Sequence, residues 1–236
     1  ALREGDVFDI DEKTKEDLRS IESYWIGKTH EDRVNANLSQ DIRLAEKQGI
    51  IHRGGISMSG DGHIVPDHEM LLSRGFRDLI NEAKEHLLTC DESSKDYYNA
   101  IIISLEGALV YFKRFASLFE EMALICQEES RKQELLEMKD LANTMMEQPC
   151  RSFYEAVEVV YMVHILQMIE SNGHSFCYGR FDQYIYPYFK KDLENGVIDL
   201  SKALEIITHM FIMNSSHNKI RPYGHTRFSQ GYPLYS

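Results

Sequence analysis

Ile169-Glu170-Ser171-Asn172-Gly173-His174-Ser175-Phe176-Cys177-Tyr178-Gly179-Arg180-Phe181-Asp182-Gln183-Tyr184 ends the most apolar stretch of the chain and opens an aromatic one. Upstream, Phe153 to Ile169 is apolar on nearly every face of a helix, the pattern of a helix buried all round. Downstream, Ile185-Tyr186-Pro187-Tyr188-Phe189 reads as core. Between them sit Glu170, Asn172, His174, Ser175, Arg180, Asp182 and Gln183. Buried polar groups need partners, so this many in apolar surroundings form either a satisfied network or a site.

Outward from this segment the pattern is helical. Asp11 or Thr14 caps a first helix carrying Leu18, Ile21, Tyr24 and Trp25, and Gly27 ends it. A second helical stretch runs from about Glu31 to Lys47 and closes at Gly49. Gly54, Gly55, Gly60 and Gly62, with His52, Asp61 and His63, make Ile50 to Pro66 a loop whose backbone can approach a neighbour or ligand closely. Phosphate-loop spacing is absent from it. Asp67 caps a helix with Met70, Leu71, Phe76, Leu79, Ile80, Ala83 and Leu87 on one face. A long helix opens near Ser93 or Ser94 and runs past Met122. Glu128 to Met146 forms another, stopped by Pro149, and Ser201 caps a last one to Met213. Phe176 to Tyr178 and Ile220 to Tyr223 are candidate short strands. No repeat, linker or internal boundary divides residues 1–236.

Composition narrows the function classes. The chain has 236 residues, 43% hydrophobic and 27% charged, which fits a soluble globular protein. A net charge of -12 argues against non-specific nucleic-acid binding and against anionic membrane surfaces. No apolar run reaches the length of a membrane span and no signal peptide is evident, so a cytoplasmic location is expected. Cys90, Cys126, Cys150 and Cys177 lack CxxC or zinc-like spacing and read as free thiols. The chain starts without an initiator Met and stops in an aromatic-rich motif, so it is expected to be a piece of a longer protein.

Several residues can carry chemistry. His174 and Ser175 can donate to and accept from a hydroxylated or carbonyl ligand. A hydrolytic triad would need a GxSxG turn, which is missing. The bland alternative makes His174 a cap on the helix C-terminus. Arg180 can clamp a carboxylate, from a ligand or from Asp182 or Glu170, or it can sit in a buried ion-pair network that orients the turn. His63 lies in the glycine loop beside Asp61 and Asp67, as a site histidine or as a solvated one. His63, Asp67, His68 and Glu69 lack metal-ligand spacing, so no metal is expected. Cys177 reads as packing rather than as a nucleophile.

Three motifs together resemble the glycyl radical enzymes: Ser23-Tyr24-Trp25-Ile26-Gly27-Lys28-Thr29, Gly62-His63-Ile64-Val65-Pro66-Asp67, and Glu170 to Tyr188. The resemblance spans about Phe8 to Tyr235 and is nearest the dehydratase and C–X lyase branch. That branch is similar to the B12-independent glycerol and propanediol dehydratases. It implies a mostly α piece: the N-terminal helical part and first strands of a ten-stranded α/β barrel, with 1–236 as a partial pyruvate formate-lyase-type domain.

It also implies an enzyme that cleaves a C–O, C–N, C–S or C–C bond of a small polar substrate without net redox change. The resemblance puts substrate contacts on His63, His174 and Ser175, with Arg180, Asp182 and Glu170 supporting the site. The thiyl motif (Gly-Cys-Val-Glu) and radical motif (Arg-Val-x-Gly-Tyr) are absent, so the catalytic cysteine and the radical glycine are expected downstream of Ser236. A partner activase using S-adenosylmethionine and an iron–sulfur cluster would install the radical, and a homodimer is the expected assembly. After the His-Ser pair this chain reads Phe176-Cys177-Tyr178-Gly179-Arg180, where glycerol and propanediol dehydratases read Ile-Ser-Pro-Ala-Arg. The Gly-Arg form is typical of choline lyases, sulfonate lyases and arylacetate decarboxylases. Two alternatives are a helical scaffold or interaction module without chemistry, and a metal-dependent hydrolase built on His63 and His174.

Overall fold

The computed structural model describes residues 10–52, 64–144, 147–171 and 176–217. These residues fall into two compact units. The described part of the first comprises 10–52, Ile64, 167–171, 176–177 and 214–217, and the second comprises Val65–Leu166 and Tyr178–Met213.

The first unit opens with three short helices, each started by a side-chain cap. Asp11 caps α1 (Glu12–Trp25) by accepting from the Thr14 backbone N–H at 2.7 Å. Thr29 and Asp32 close a reciprocal capping box on α2 (His30–Asn37), and Asp32 also accepts from the Gly27 N–H at 2.9 Å. Gly27, at φ 77°, makes the left-handed turn between them. The helix expected over Glu31 to Lys47 is in fact two. Ser39 adopts an extended backbone and caps α3 (Gln40–Lys47), a local competitor to continued helix. None of the residues of α1 to α3 is buried, and Leu18, Ile21 and Trp25 form an exposed stripe on α1.

The second unit holds the apolar core. Asp67 caps α4 (His68–Thr89), accepting from the Met70 N–H at 2.9 Å. A 3-10 turn (Glu92–Ser94) leads into α5 (Lys95–Ile125), which packs against α4 and against α6 (Glu129–Thr144). Then come α7 (Phe153–Ser171), α8 (Phe181–Glu194) and α9 (Leu200–Ser215). One cluster joins them: Leu72 and Phe76 of α4, Leu109 and Phe112 of α5, Val157 and Val160 of α7, Ile185 of α8, and Ile206 and Met210 of α9. Fully burying each such side chain contributes about 1.5–3 kcal/mol. α7 buries most faces over Phe153 to His164, as its apolar pattern predicts, but Tyr154 is partly exposed and the helix emerges at Ile169 and Glu170.

Three polar devices shape this unit. Gly75 breaks α4 at φ 77°, ψ 166°, and there the Leu72 carbonyl accepts from the Cys150 N–H at 2.8 Å. Asp192, buried at the end of α8, accepts from the Phe153 N–H that opens α7 at 2.7 Å. Asp199, rather than Ser201, caps the last helix: its carboxylate accepts from the Lys202 N–H at 2.7 Å.

The expected barrel strands do not occur among the described residues. Phe176 makes a single parallel bridge to Ile64, and Ile220 to Tyr223 lie outside the described residues. A helix, α8, stands where an aromatic core run was read. It passes through Pro187, whose missing N–H removes the helical donor to the Gln183 carbonyl, and both residues are exposed. No helix among the described residues is long and apolar enough to cross a membrane.

Candidate functional site

His63, His174 and Ser175, the expected substrate contacts, lie outside the described residues. Their sequence neighbours are paired. Ile64 and Phe176 form a parallel bridge, and the Cys177 N–H donates to the Ile64 carbonyl at 3.4 Å. Phe176 is buried, which anchors the end of the segment that carries the His-Ser pair. The bridge therefore joins the glycine-loop motif to the motif at the end of α7, segments that lie more than a hundred residues apart in the sequence.

The expected supporting residues sit differently from a buried network. Glu170 is exposed in the last turn of α7. Arg180 and Asp182 pair bidentately, at 3.1 Å from Nε and 3.0 Å from Nη2, but their side chains are 70% and 69% exposed. The reason is local: Arg180 occupies the N-cap position of α8, and Asp182 lies in the first turn on its wet side. The hydrogen bond from Arg180 holds the Asp182 carboxyl below its ordinary range. An acidic residue there also suits the helix dipole.

A cluster missed in the sequence surrounds Tyr178 within the second unit. Its ring lies 4.6 Å from that of His164 on α7 and 6.5 Å from that of His68 on α4. The Tyr184 hydroxyl on α8 donates to the Tyr178 carbonyl at 2.8 Å, and its ring lies 5.1 Å from His68. His68 and His164 are both buried. Burial pushes the His68 imidazole down to about 4 against the opposing pull of Asp67, so it is neutral at ordinary pH. Its Nδ1 is buried and makes no hydrogen bond. The available signal was slight: His164 interrupts an otherwise apolar helix, and His68 directly follows a cap.

Gly179 completes this turn. It has φ 63°, and a Cβ there would stand 2.6 Å from Val65 Cγ1. Any larger residue would have to displace the Val65 side chain and hold a left-handed backbone. A cleft of about 460 Å³ nearby is lined by Glu69, Ser73, Arg180, Gln183, Tyr184 and Tyr188, among others.

Elsewhere in the unit, Glu158 stands near Tyr154 and Tyr161. Its carboxyl is enclosed although the residue as a whole is only half-buried, and burial pushes it up to about 7. Among the described residues, no three His, Cys, Asp or Glu side chains converge in a way that would hold a metal ion. Cys150 is held up at about 12 by burial and by Glu155, which makes it a poor nucleophile.

The pyruvate formate lyase-like family model matches residues 1–236. The probable dehydratase YbiW of Escherichia coli is 34% identical over 100% of this chain and 30% of its own length. The (2S)-3-sulfopropanediol dehydratase of Klebsiella oxytoca is 33% identical over 94% of this chain and 28% of its own. The glycerol-bound B12-independent glycerol dehydratase of Clostridium butyricum superposes with a TM-score of 0.82 at 35% identity, covering 99% of this chain and 30% of that one. The chain thus spans less than a third of the length of these relatives. Family model, sequence relatives and solved fold agree: the chain belongs to the pyruvate formate lyase-like family, the glycyl radical enzymes.

Proposed function

We propose that this chain is the N-terminal part of a glycyl radical lyase or dehydratase, and that His63, His174 and Ser175 grip a small polar substrate. Its relatives are glycyl radical dehydratases and lyases. One structural observation carries the residue assignment: the parallel bridge between Ile64 and Phe176, the immediate neighbours of His63 and Ser175. The bridge brings the motif that carries His63 beside the motif that carries His174 and Ser175.

The chemistry suits that arrangement. A hydroxyl or other leaving group departs more readily when donors polarise its bond, and neutral imidazole and hydroxyl groups supply donors at a small desolvation cost. A radical reaction also needs a closed, dry cavity, which excludes quenching side reactions. The radical glycine and the cysteine that abstracts hydrogen would come from elsewhere in the longer polypeptide. In this reading residues 1–236 belong to one partial domain of a cytoplasmic homodimer, served by an activase that uses S-adenosylmethionine and an iron–sulfur cluster.

The test is to produce the full-length protein anoxically with its activase and record the electron paramagnetic resonance spectrum. A glycyl doublet is expected, together with turnover of a hydroxylated probe such as glycerol or (2S)-3-sulfopropanediol that His63→Ala or Ser175→Ala suppresses. A fully activated sample without a doublet overturns the reading.

A further inference from the structure

The long helix α5 packs against α4 and α6 and buries Ile102, Leu109 and Phe112. Another of its faces is open. Asp96, Ala100, Ile103, Gly107, Val110 and Arg114 run along it in alternating steps of four and three, the spacing of a coiled-coil seam. All six are exposed, Ile103 at 69% and Val110 at 58%. Gly107 lies in the helix interior, where glycine is destabilising relative to alanine. A Cβ there would meet nothing within 4 Å, so the packing of the chain itself does not require the glycine. The charges divide in the same way. Glu106 and Glu120 pair with Lys84 of α4 and Lys139 of α6, at 2.7 Å each. Asp96 and Arg114 on the open face form no ion pair among the described residues.

We propose, resting on the homodimer of the functional reading, that this face of α5 packs antiparallel against the same face of a second copy. A two-fold interface is self-complementary: where residue i meets j, residue j meets i. Asp96 opposite Arg114 sets the midpoint at residue 105. Ile103 with Gly107, and Ala100 with Val110, share that midpoint. One register therefore matches opposite charges at both ends and sets a larger side chain against a smaller one at each inner step. A parallel pairing would instead place Asp96 against Asp96 and Arg114 against Arg114. At 1.5 Å per residue the two charge pairs stand about 27 Å apart along the helix. Being solvated at the rim, they fix direction and register more than affinity. Glu121, further along the seam, falls beyond the start of the partner helix in this register.

The experiment is sedimentation of the full-length enzyme over a concentration series, for wild type, Asp96→Arg, Arg114→Glu and the double exchange. Wild type should be a dimer. Each single reversal sets like charges opposite one another twice per dimer and should raise the dissociation constant at least about tenfold. The double exchange restores both pairs and should return the constant close to wild type, which a variant damaged in folding would not do. A wild-type monomer overturns the proposal together with the homodimer. A dimer that neither reversal weakens overturns the proposal alone, because the face is then covered by the remainder of the polypeptide or by another partner. A double exchange that fails to recover also overturns it. The glycyl doublet is read on a separate activated sample, so the catalytic reading stands or falls by a different result.

Discussion

Replacing Gly75 with alanine gives opposite outcomes under two descriptions of α4. In a regular helix Gly→Ala stabilises by about 1 kcal/mol, because glycine loses more backbone freedom on folding. Gly75 is not regular: φ 77°, ψ 166° lies in a region reserved for glycine, and holding an L-residue there costs about 1–3 kcal/mol. A Cβ would also stand 2.8 Å from the Gln148 carbonyl oxygen. Reaching ordinary contact at 3.4 Å means moving that backbone by about 0.6 Å (3.4 less 2.8). The same segment supplies the Cys150 N–H that bonds to the Leu72 carbonyl at 2.8 Å, and weakening that bond forfeits up to about 0.5–1.5 kcal/mol. Together these make Gly75→Ala destabilising by about 2–4 kcal/mol. In urea, with a slope of about 2 kcal/mol per M, the unfolding midpoint falls by roughly 1–2 M. Gly107→Ala on α5 is the control, since nothing lies within 4 Å of the added Cβ; it should raise stability by up to about 1 kcal/mol. A Gly75→Ala midpoint at or above wild type refutes the reasoning.

Other perturbations have equally definite signs. Asp192→Ala leaves the buried Phe153 N–H without its acceptor, and should cost about 1–3 kcal/mol by denaturant unfolding; a loss below a few tenths would contradict the buried hydrogen bond. Arg180→Gln should leave the unfolding midpoint unchanged, because the Arg180–Asp182 pair is solvated; a large drop would mean the pair is buried in the working protein. The native Cys150 thiol, held near 12, should resist iodoacetamide at pH 8 until the chain unfolds, as mass spectrometry can record. Two buried groups tilt the pH profile in opposite directions. Glu158 titrates near 7 when folded against an ordinary 4.5, so its contribution is full below pH 4.5 and is lost as pH rises through 7. His68 titrates near 4 against 6.5, so its contribution is full above pH 6.5 and is lost as pH falls through 4. Between pH 4.5 and 6.5 the slopes oppose, and Glu158→Gln should leave stability rising with pH there; a variant profile parallel to wild type speaks against the enclosed carboxyl.

Local rules carried the helix boundaries where the chain itself supplies the partner. Asp11 and Asp67 were legible as caps because each accepts from a backbone N–H three residues on. The break at Ser39 was not, since the apolar spacing on either side of it is compatible with one helix. The kink at Gly75 was hidden for a different reason. An isolated glycine within a helical pattern is usually tolerated, and only the approach of Gln148, seventy-three residues later, demands it. The aromatic run Ile185 to Phe189 was read only as core, and its place within a helix that runs through Pro187 was not legible from it. The same distinction divides the site. His63, His174 and Ser175 were singled out because their motifs are local, yet what joins those motifs is a bridge between Ile64 and Phe176 that neither segment announces. The His68–Tyr178–His164 cluster was missed because its members come from α4, the turn before α8, and α7. Nothing in the local sequence of any of them links it to the other two. A motif can therefore nominate candidate groups, while contacts such as Tyr184 to the Tyr178 carbonyl and Gly179 against Val65 become visible only when distant segments are brought together.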